Sequence, residues 1–184
     1  LDPHAPVYPF ADPATARALD RTKSPFYRLL NGQWKFKFSA HPGVRPLRFF
    51  ETGFDDAAWD TIPVPANIEK HGYAPPVYVN IGYAWGWNMP PRVPQQLDHV
   101  GGFRATLGDA PGSSAPPFVP HDLNYVGSYR HRFEVPASWQ GRRVRITFQG
   151  VSAGFYLWVN GKKIGYSEDS RGPAEFDITD AVKP

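Results

Sequence analysis

An all-β sandwich is the fold class this sequence predicts, on three observations. Apolar and polar residues alternate with a period of two in several short runs, as they do in strands with one buried face. Turn-forming residues separate those runs, and 21 prolines with 17 glycines leave little room for long helices. Phe 13, Tyr 9 and Trp 6 supply the large side chains that a sheet core needs and argue against disorder. A chain of 184 residues suits one sizeable domain.

Taken in order, residues 1–29 carry prolines at positions 3, 6, 9, 13 and 25, which reads as a surface arm laid over a folded body. Only 14–20 has room for a helical turn or two, with Asp12 as its N-cap and Pro13 at its first position. In 33–38 the residues Trp34, Phe36 and Phe38 share one strand face, while Lys35 and Lys37 meet water. Tyr129, His131, Phe133 and Val135 alternate with Arg130, Arg132 and Glu134, predicting a strand over 129–135. Val144, Ile146 and Phe148 alternate with Arg143, Arg145 and Thr147 in the same way. Each large apolar side chain gains about 1.5–3 kcal/mol on burial, so these stripes must meet a core. The run Phe155-Tyr156-Leu157-Trp158-Val159-Asn160-Gly161-Lys162-Lys163-Ile164-Gly165-Tyr166 predicts a hairpin. Its Asn-Gly pair suits a type I′ turn, which needs positive φ at both central residues. Alternation stops between 84 and 124, where Trp85-Gly86-Trp87, Pro90-Pro91, Gly101-Gly102 and Pro116-Pro117 make a long irregular segment. Loops of that length inside a compact domain are where function concentrates.

The same residues exclude several activities. A net charge of +3 is too small to carry nucleic-acid or membrane-surface binding, and no apolar run approaches the ~18 residues that span a bilayer. The absence of cysteine removes disulfides, thiolate metal sites and a cysteine nucleophile, and leaves a cytoplasmic, periplasmic or secreted address equally open. None of the six histidines pairs with another at metal-ligand spacing. Gly-x-Ser-x-Gly, P-loop and dinucleotide fingerprints are all missing. A glycosidase needs two carboxyl groups ~5–9.5 Å apart, yet the adjacent Glu168 and Asp169 point to opposite faces if they lie in a strand. Asp55 and Asp56 read as a turn or helix cap. Arg142, Arg143 and Arg145 read as the wet face of a strand rather than a nucleic-acid patch. Trp85 and Trp87 suit stacking against a sugar's apolar face or a partner chain, and equally suit covering the end of the sandwich. The opening Leu1-Asp2-Pro3, without an initiator methionine, reads as a processed product or an excised piece.

More specific is a resemblance spread over nearly the whole chain. Leu30-Asn31-Gly32-Gln33-Trp34-Lys35-Phe36 resembles the first strand of the N-terminal sugar-binding domain of family-two glycoside hydrolases. Phe54-Asp55-Asp56 with Trp59, then Ile62-Pro63-Val64-Pro65-Ala66-Asn67, continues it. His71-Gly72-Tyr73 with Pro76-Val77-Tyr78-Val79-Asn80 narrows the likeness to the large β-galactosidases of the lacZ type. Pro116-Pro117-Phe118-Val119-Pro120, Gly127-Ser128-Tyr129 and the 155–161 run agree, and 165–177 matches most closely.

The resemblance implies a jelly-roll β-sandwich over 30–184, of the galactose-binding-domain type, with a Pro/Gly-rich insertion of about thirty residues near 84–115. It also implies that the domain's last strand lies beyond Pro184, which would leave an edge that pairs with another copy or a fold of marginal stability. The implied activity is retaining hydrolysis of terminal β-D-galactosyl residues, with both catalytic glutamates in a downstream barrel, so this chain alone is expected to be inactive. The position matching Asp169 holds a monovalent cation, Na⁺ or K⁺, that meets the galactosyl 6-hydroxyl, and the position matching Asn80 hydrogen-bonds the sugar. Mg²⁺ belongs to the downstream barrel, and the chain itself requires no cofactor. Expected partners are the galactoside, the remaining domains of the enzyme and further copies in a homo-oligomer, without nucleic acid or membrane. Ile68 stands where the family usually has tryptophan, which alters one part of the implied pocket rim. Two other readings use the same residues: a stand-alone carbohydrate-binding module, or a structural domain for oligomerisation. For Asp169 the plain alternative is a turn-forming aspartate after a strand, and for Asn80 a loop-capping amide.

Overall fold

The computed structural model describes residues 5–74 and 124–183. Among them the regular structure is β apart from one five-residue helix and short 3₁₀ turns, so the expected all-β class stands. In chain order the strands are β1 (Gly32–Ser39), β2 (Asp60–Val64), β3 (Val126–Arg130), β4 (Arg145–Phe148), β5 (Phe155–Val159), β6 (Lys162–Ser167) and β7 (Ala174–Asp177). Packing divides the described chain into two compact units, one of 5–31, 48–55 and 131–183, the other of 32–47, 56–74 and 124–130.

In the second of these units β1 is the central strand of an antiparallel sheet ordered β2-β1-β3. Trp34 stands opposite Ile62, and Phe36 opposite Tyr129. Phe36 and Ile62 are fully buried. The Phe36 ring meets Tyr73 edge-on at 4.7 Å and Tyr129 at 4.8 Å, and Phe38 lies 5.3 Å from Tyr125. The aromatic stripe expected on one face of β1 therefore forms. The lysines of that strand do not behave alike. Lys37 is exposed, whereas Lys35 is half-buried and its Nζ donates to the carbonyls of Ala57 and Trp59 at 3.3 Å each. Asp56 also departs from expectation. Its backbone carbonyl closes a turn with the Trp59 amide, but its carboxylate pairs with Arg130 at 2.9 Å, both side chains under one-fifth exposed.

The strand expected over 129–135 stops at Arg130 instead. That is where one unit gives way to the other. Phe133 and Val135 then bury against the other unit's core without a ladder of their own.

In the remaining unit the N-terminal arm is pinned down. Helix α1 (Pro13–Arg17) starts as its sequence demands: Asp12 Oδ1 accepts from the Thr15 amide at 2.9 Å, and Pro13 occupies the first turn. Arg21 sits over the rings of Tyr8 and Tyr27 at 5.3 and 5.2 Å and donates to the Tyr8 hydroxyl at 2.9 Å. Trp139 Nε1 donates to the Pro25 carbonyl at 2.9 Å, which ties the arm's end to the body.

The core of this unit is Val144, Ile146, Val159, Phe176 and Ile178. β4 and β7 pair antiparallel with Ile146 opposite Phe176. Val144 lies just outside β4, yet its amide donates to Thr179 Oγ1 and its carbonyl accepts from Ile178, each at 2.9 Å, so the pairing runs on past β4. β5 and β6 form the expected hairpin, with φ of 49° at Asn160 and 82° at Gly161 as a type I′ turn requires. A bulge falls between Leu157 and Trp158.

One close approach joins the hairpin to β7. A Cβ placed on Gly165 would lie 2.6 Å from Cε1 of Phe176. Gly165→Ala is therefore expected to force that core ring aside and to cost about 1–3 kcal/mol, read as a lower urea midpoint. An unchanged midpoint would show that Phe176 has room to yield.

Candidate functional site

Asp169 lies two residues past the end of β6, and the chain bends through 170–172 before β7 begins at Ala174. The carboxylate organises that bend. Its Oδ1 accepts from the amides of Arg171 and Gly172, both at 2.9 Å. This is an Asx turn, in which a short acidic side chain substitutes for a backbone carbonyl. Both bonds fall on Oδ1, the side chain is exposed, and Oδ2 accepts no hydrogen bond from a described residue. The Gly172 amide, and after it the Arg171 amide, holds the carboxyl below its ordinary pKa because both bonds favour the charged form.

The neighbouring carboxylate has a separate task. Glu168 Oε2 accepts from the Tyr166 hydroxyl at 2.9 Å, and this bond pushes the phenol's pKa up. The two adjacent acids thus have different partners. Among the described residues no three histidine, aspartate or glutamate side chains gather in a way that could hold a metal ion. Asp169 Oδ2 is one ionised oxygen, the hard kind of donor an alkali cation requires, and further ligands would have to come from elsewhere.

Asn80, Trp85 and Trp87, with the insertion near 84–115, lie outside the described residues. Of the basic group expected on a wet strand face, Arg145 lies on β4, whereas Arg142 and Arg143 precede it. Arg145 pairs with Glu175 at 3.0 Å, Arg143 with Asp177 at 3.4 Å, and Arg142 lies 4.3 Å from the Phe26 ring centre.

Sequence reasoning missed an aromatic strip on the hairpin. Tyr156 and Tyr166 are cross-strand partners with ring centres 4.7 Å apart, 55% and 48% exposed. The signal was present. Residues 156 and 158 alternate with the inward Phe155, Leu157 and Val159, so their outward placement follows once the hairpin is drawn.

The backbone fold is similar to that of a β-glucuronidase from Ruminococcus gnavus, with a TM-score of 0.51 over 85% of this chain and 19% of that chain. Identity there is 17%, and the likeness speaks for the all-β sandwich alone. The family described as glycosyl hydrolases family 2, sugar binding domain, matches residues 27–106 and 105–184. The chain belongs to that family. A β-galactosidase of Psychromonas ingrahamii is 39% identical over 176 residues, 96% of this chain. One from Halalkalibacterium halodurans is 41% identical over 153 residues, 82% of this chain. A β-galactosidase large subunit of Leuconostoc lactis is 38% identical over 89% of this chain. The chain spans only 14%, 12% and 24% of these relatives' own lengths, respectively. No helix among the described residues is long and apolar enough to cross a membrane.

The Asx turn makes a pH prediction. Asp169 titrates lower in the folded chain than in the unfolded one, so the unfolded state binds more protons in that interval and stability rises with pH. The turn's contribution is present above the ordinary aspartate value of about 3.9 and is lost as pH falls through the lowered one. Following the Asp169 carboxyl carbon by NMR should give a midpoint below that ordinary value. A midpoint at or above it would mean that the two amide bonds do not hold in solution.

Proposed function

We propose that this chain is the N-terminal sugar-binding domain of a retaining β-galactosidase, and that it completes an active site whose two catalytic glutamates lie in another part of the enzyme. The reading rests chiefly on one observation, the 39% identity to a β-galactosidase sustained over 96% of this chain. The acids described above agree with it: Glu168 and Asp169 are each committed to separate hydrogen bonds, which suits a supporting role rather than a pair acting across a glycosidic bond.

In this role Asp169 contributes position and charge. Oδ1 fixes the turn, and Oδ2 is the one oxygen ligand this residue offers to Na⁺ or K⁺. The bound cation would supply positive charge toward the galactosyl 6-hydroxyl. Because its carboxyl is held below the usual range, Asp169 stays ionised wherever the enzyme works near neutrality. Asn80 would add an amide that both donates to and accepts from sugar hydroxyls. The partners are a β-galactoside, the other domains of the same enzyme and further copies of it.

In the enzyme carrying this domain, Asp169→Asn should raise KM for an aryl β-galactoside about tenfold, the size of one lost charge-assisted contact of ~1.5 kcal/mol. Its rate should also respond far less to added Na⁺ or K⁺. A cation response equal to that of the unaltered enzyme removes Asp169 from this role. The 184-residue chain alone should release no aryl leaving group, and any such release by the pure chain would contradict the division of labour.

A further inference from the structure

The outer face of the β5–β6 hairpin carries an arrangement that neither the turn at Asp169 nor the fold accounts for. Tyr156 and Tyr166 stand side by side on it, each about half exposed, with rings inclined at 38°. Exposed side chains of this size are not required for packing. They continue a strip: Trp158 lies 5.8 Å from Tyr156, stacks on Phe50 at 5.3 Å and 11°, and takes Phe49 edge-on at 5.5 Å. The strip is held in place at both ends. Trp158 is wedged against the two phenylalanines, while the Tyr166 hydroxyl is tethered to Glu168 and rests so close to Gly154 that a Cβ there would lie 2.9 Å from it. Rings fixed in advance lose little freedom when a ligand covers them.

The rim determines what kind of ligand fits. Lys163 Nζ lies 4.8 Å from the Tyr156 ring centre, and the Glu168 carboxylate closes the Tyr166 end. One positive and one negative group favour a neutral ligand over an anion or a cation. An apolar helix or strand laid over the strip would strip water from an ammonium, a carboxylate and two phenols without replacing those bonds. A pyranose offers the opposite combination, a C–H face for the rings and hydroxyls around its edge for the rim.

We propose that Tyr156 and Tyr166, backed by Trp158 and flanked by Lys163 and Glu168, form a saccharide-binding platform that stacks one pyranose ring of a neutral oligosaccharide. The platform is separate from the cation and galactosyl role assigned to Asp169, and it stands or falls without it. It lies wholly on residues whose side chains the hairpin displays, and it is independent of Trp85 and Trp87.

The test is an NMR titration of the isotope-labelled 184-residue chain with cellobiose and with lactose. Saturable shifts in the millimolar range, concentrated in residues 154–168, are the expected result. Tyr156→Ala and Tyr166→Ala should each weaken binding about tenfold, the loss expected when one stacked ring is removed. Gly154→Ala, which displaces the Tyr166 ring without deleting it, should weaken binding to a smaller extent. Spectra elsewhere in the chain should be unchanged, as befits exposed positions. Cellobiose binding should be the same with and without Na⁺ or K⁺, which separates this platform from the galactosidase reading. The proposal is overturned if no saturable shift appears at high millimolar disaccharide, if binding survives the double Tyr156→Ala, Tyr166→Ala change, or if cellobiose binding requires Na⁺ or K⁺.

Discussion

The ring of Phe176 lying on the bare backbone of Gly165 is the contact from which the unit that carries Asp169 is organised. Phe176 sits in the buried cluster opposite Ile146 and edge-on to Phe155 at 5.9 Å, so β7 is already committed to the core through it. Any side chain at 165 would hold β6 away from that ring. With none there, β6 settles against β7, and the short connection between them must reverse within a few residues. Asp169 makes the reversal possible by accepting the two amides that the bend would otherwise leave unpaired. The exposed position of Asp169 is a consequence of that packing and not a separate device.

The outer face of the hairpin follows from the same constraint. Once Phe155, Leu157 and Val159 are turned toward the core, strand geometry sends Tyr156 and Trp158 outward, and the pairing of Tyr156 with Tyr166 brings a third ring beside them. The charges nearby are distributed rather than concentrated. Glu168 engages a phenol, Asp169 a turn, Glu175 and Asp177 engage arginines. The described residues of this unit thus offer hydrogen bonds and stacking, which accords with a sugar-binding family in which this chain makes up a small share of its β-galactosidase relatives.

The unit built on β1 depends on burial more than on charge. Phe36 is enclosed by strands on both sides and by Tyr73 and Tyr129 above it, so the central strand has no free edge. The largely buried ion pair of Asp56 with Arg130 ties the turn that precedes β2 to the end of β3. Such pairs are costly to break because each partner left alone would be a poorly solvated charge.

Local patterns in the sequence determined much of this. Period-two alternation marked the buried faces of β1 and β4, Asn160-Gly161 specified the hairpin turn, and Asp12 with Pro13 placed the short helix, because each depends on neighbours a few residues away. The motif from 165 to 177 likewise carried the family. What only the tertiary structure decided was where long-range partners fell: Lys35 on the carbonyls of Ala57 and Trp59, Asp56 on Arg130, and the strand that stops at Arg130. Alternation says which residues share a face but not what lies opposite that face. That depends on chain segments brought together only when the core closes.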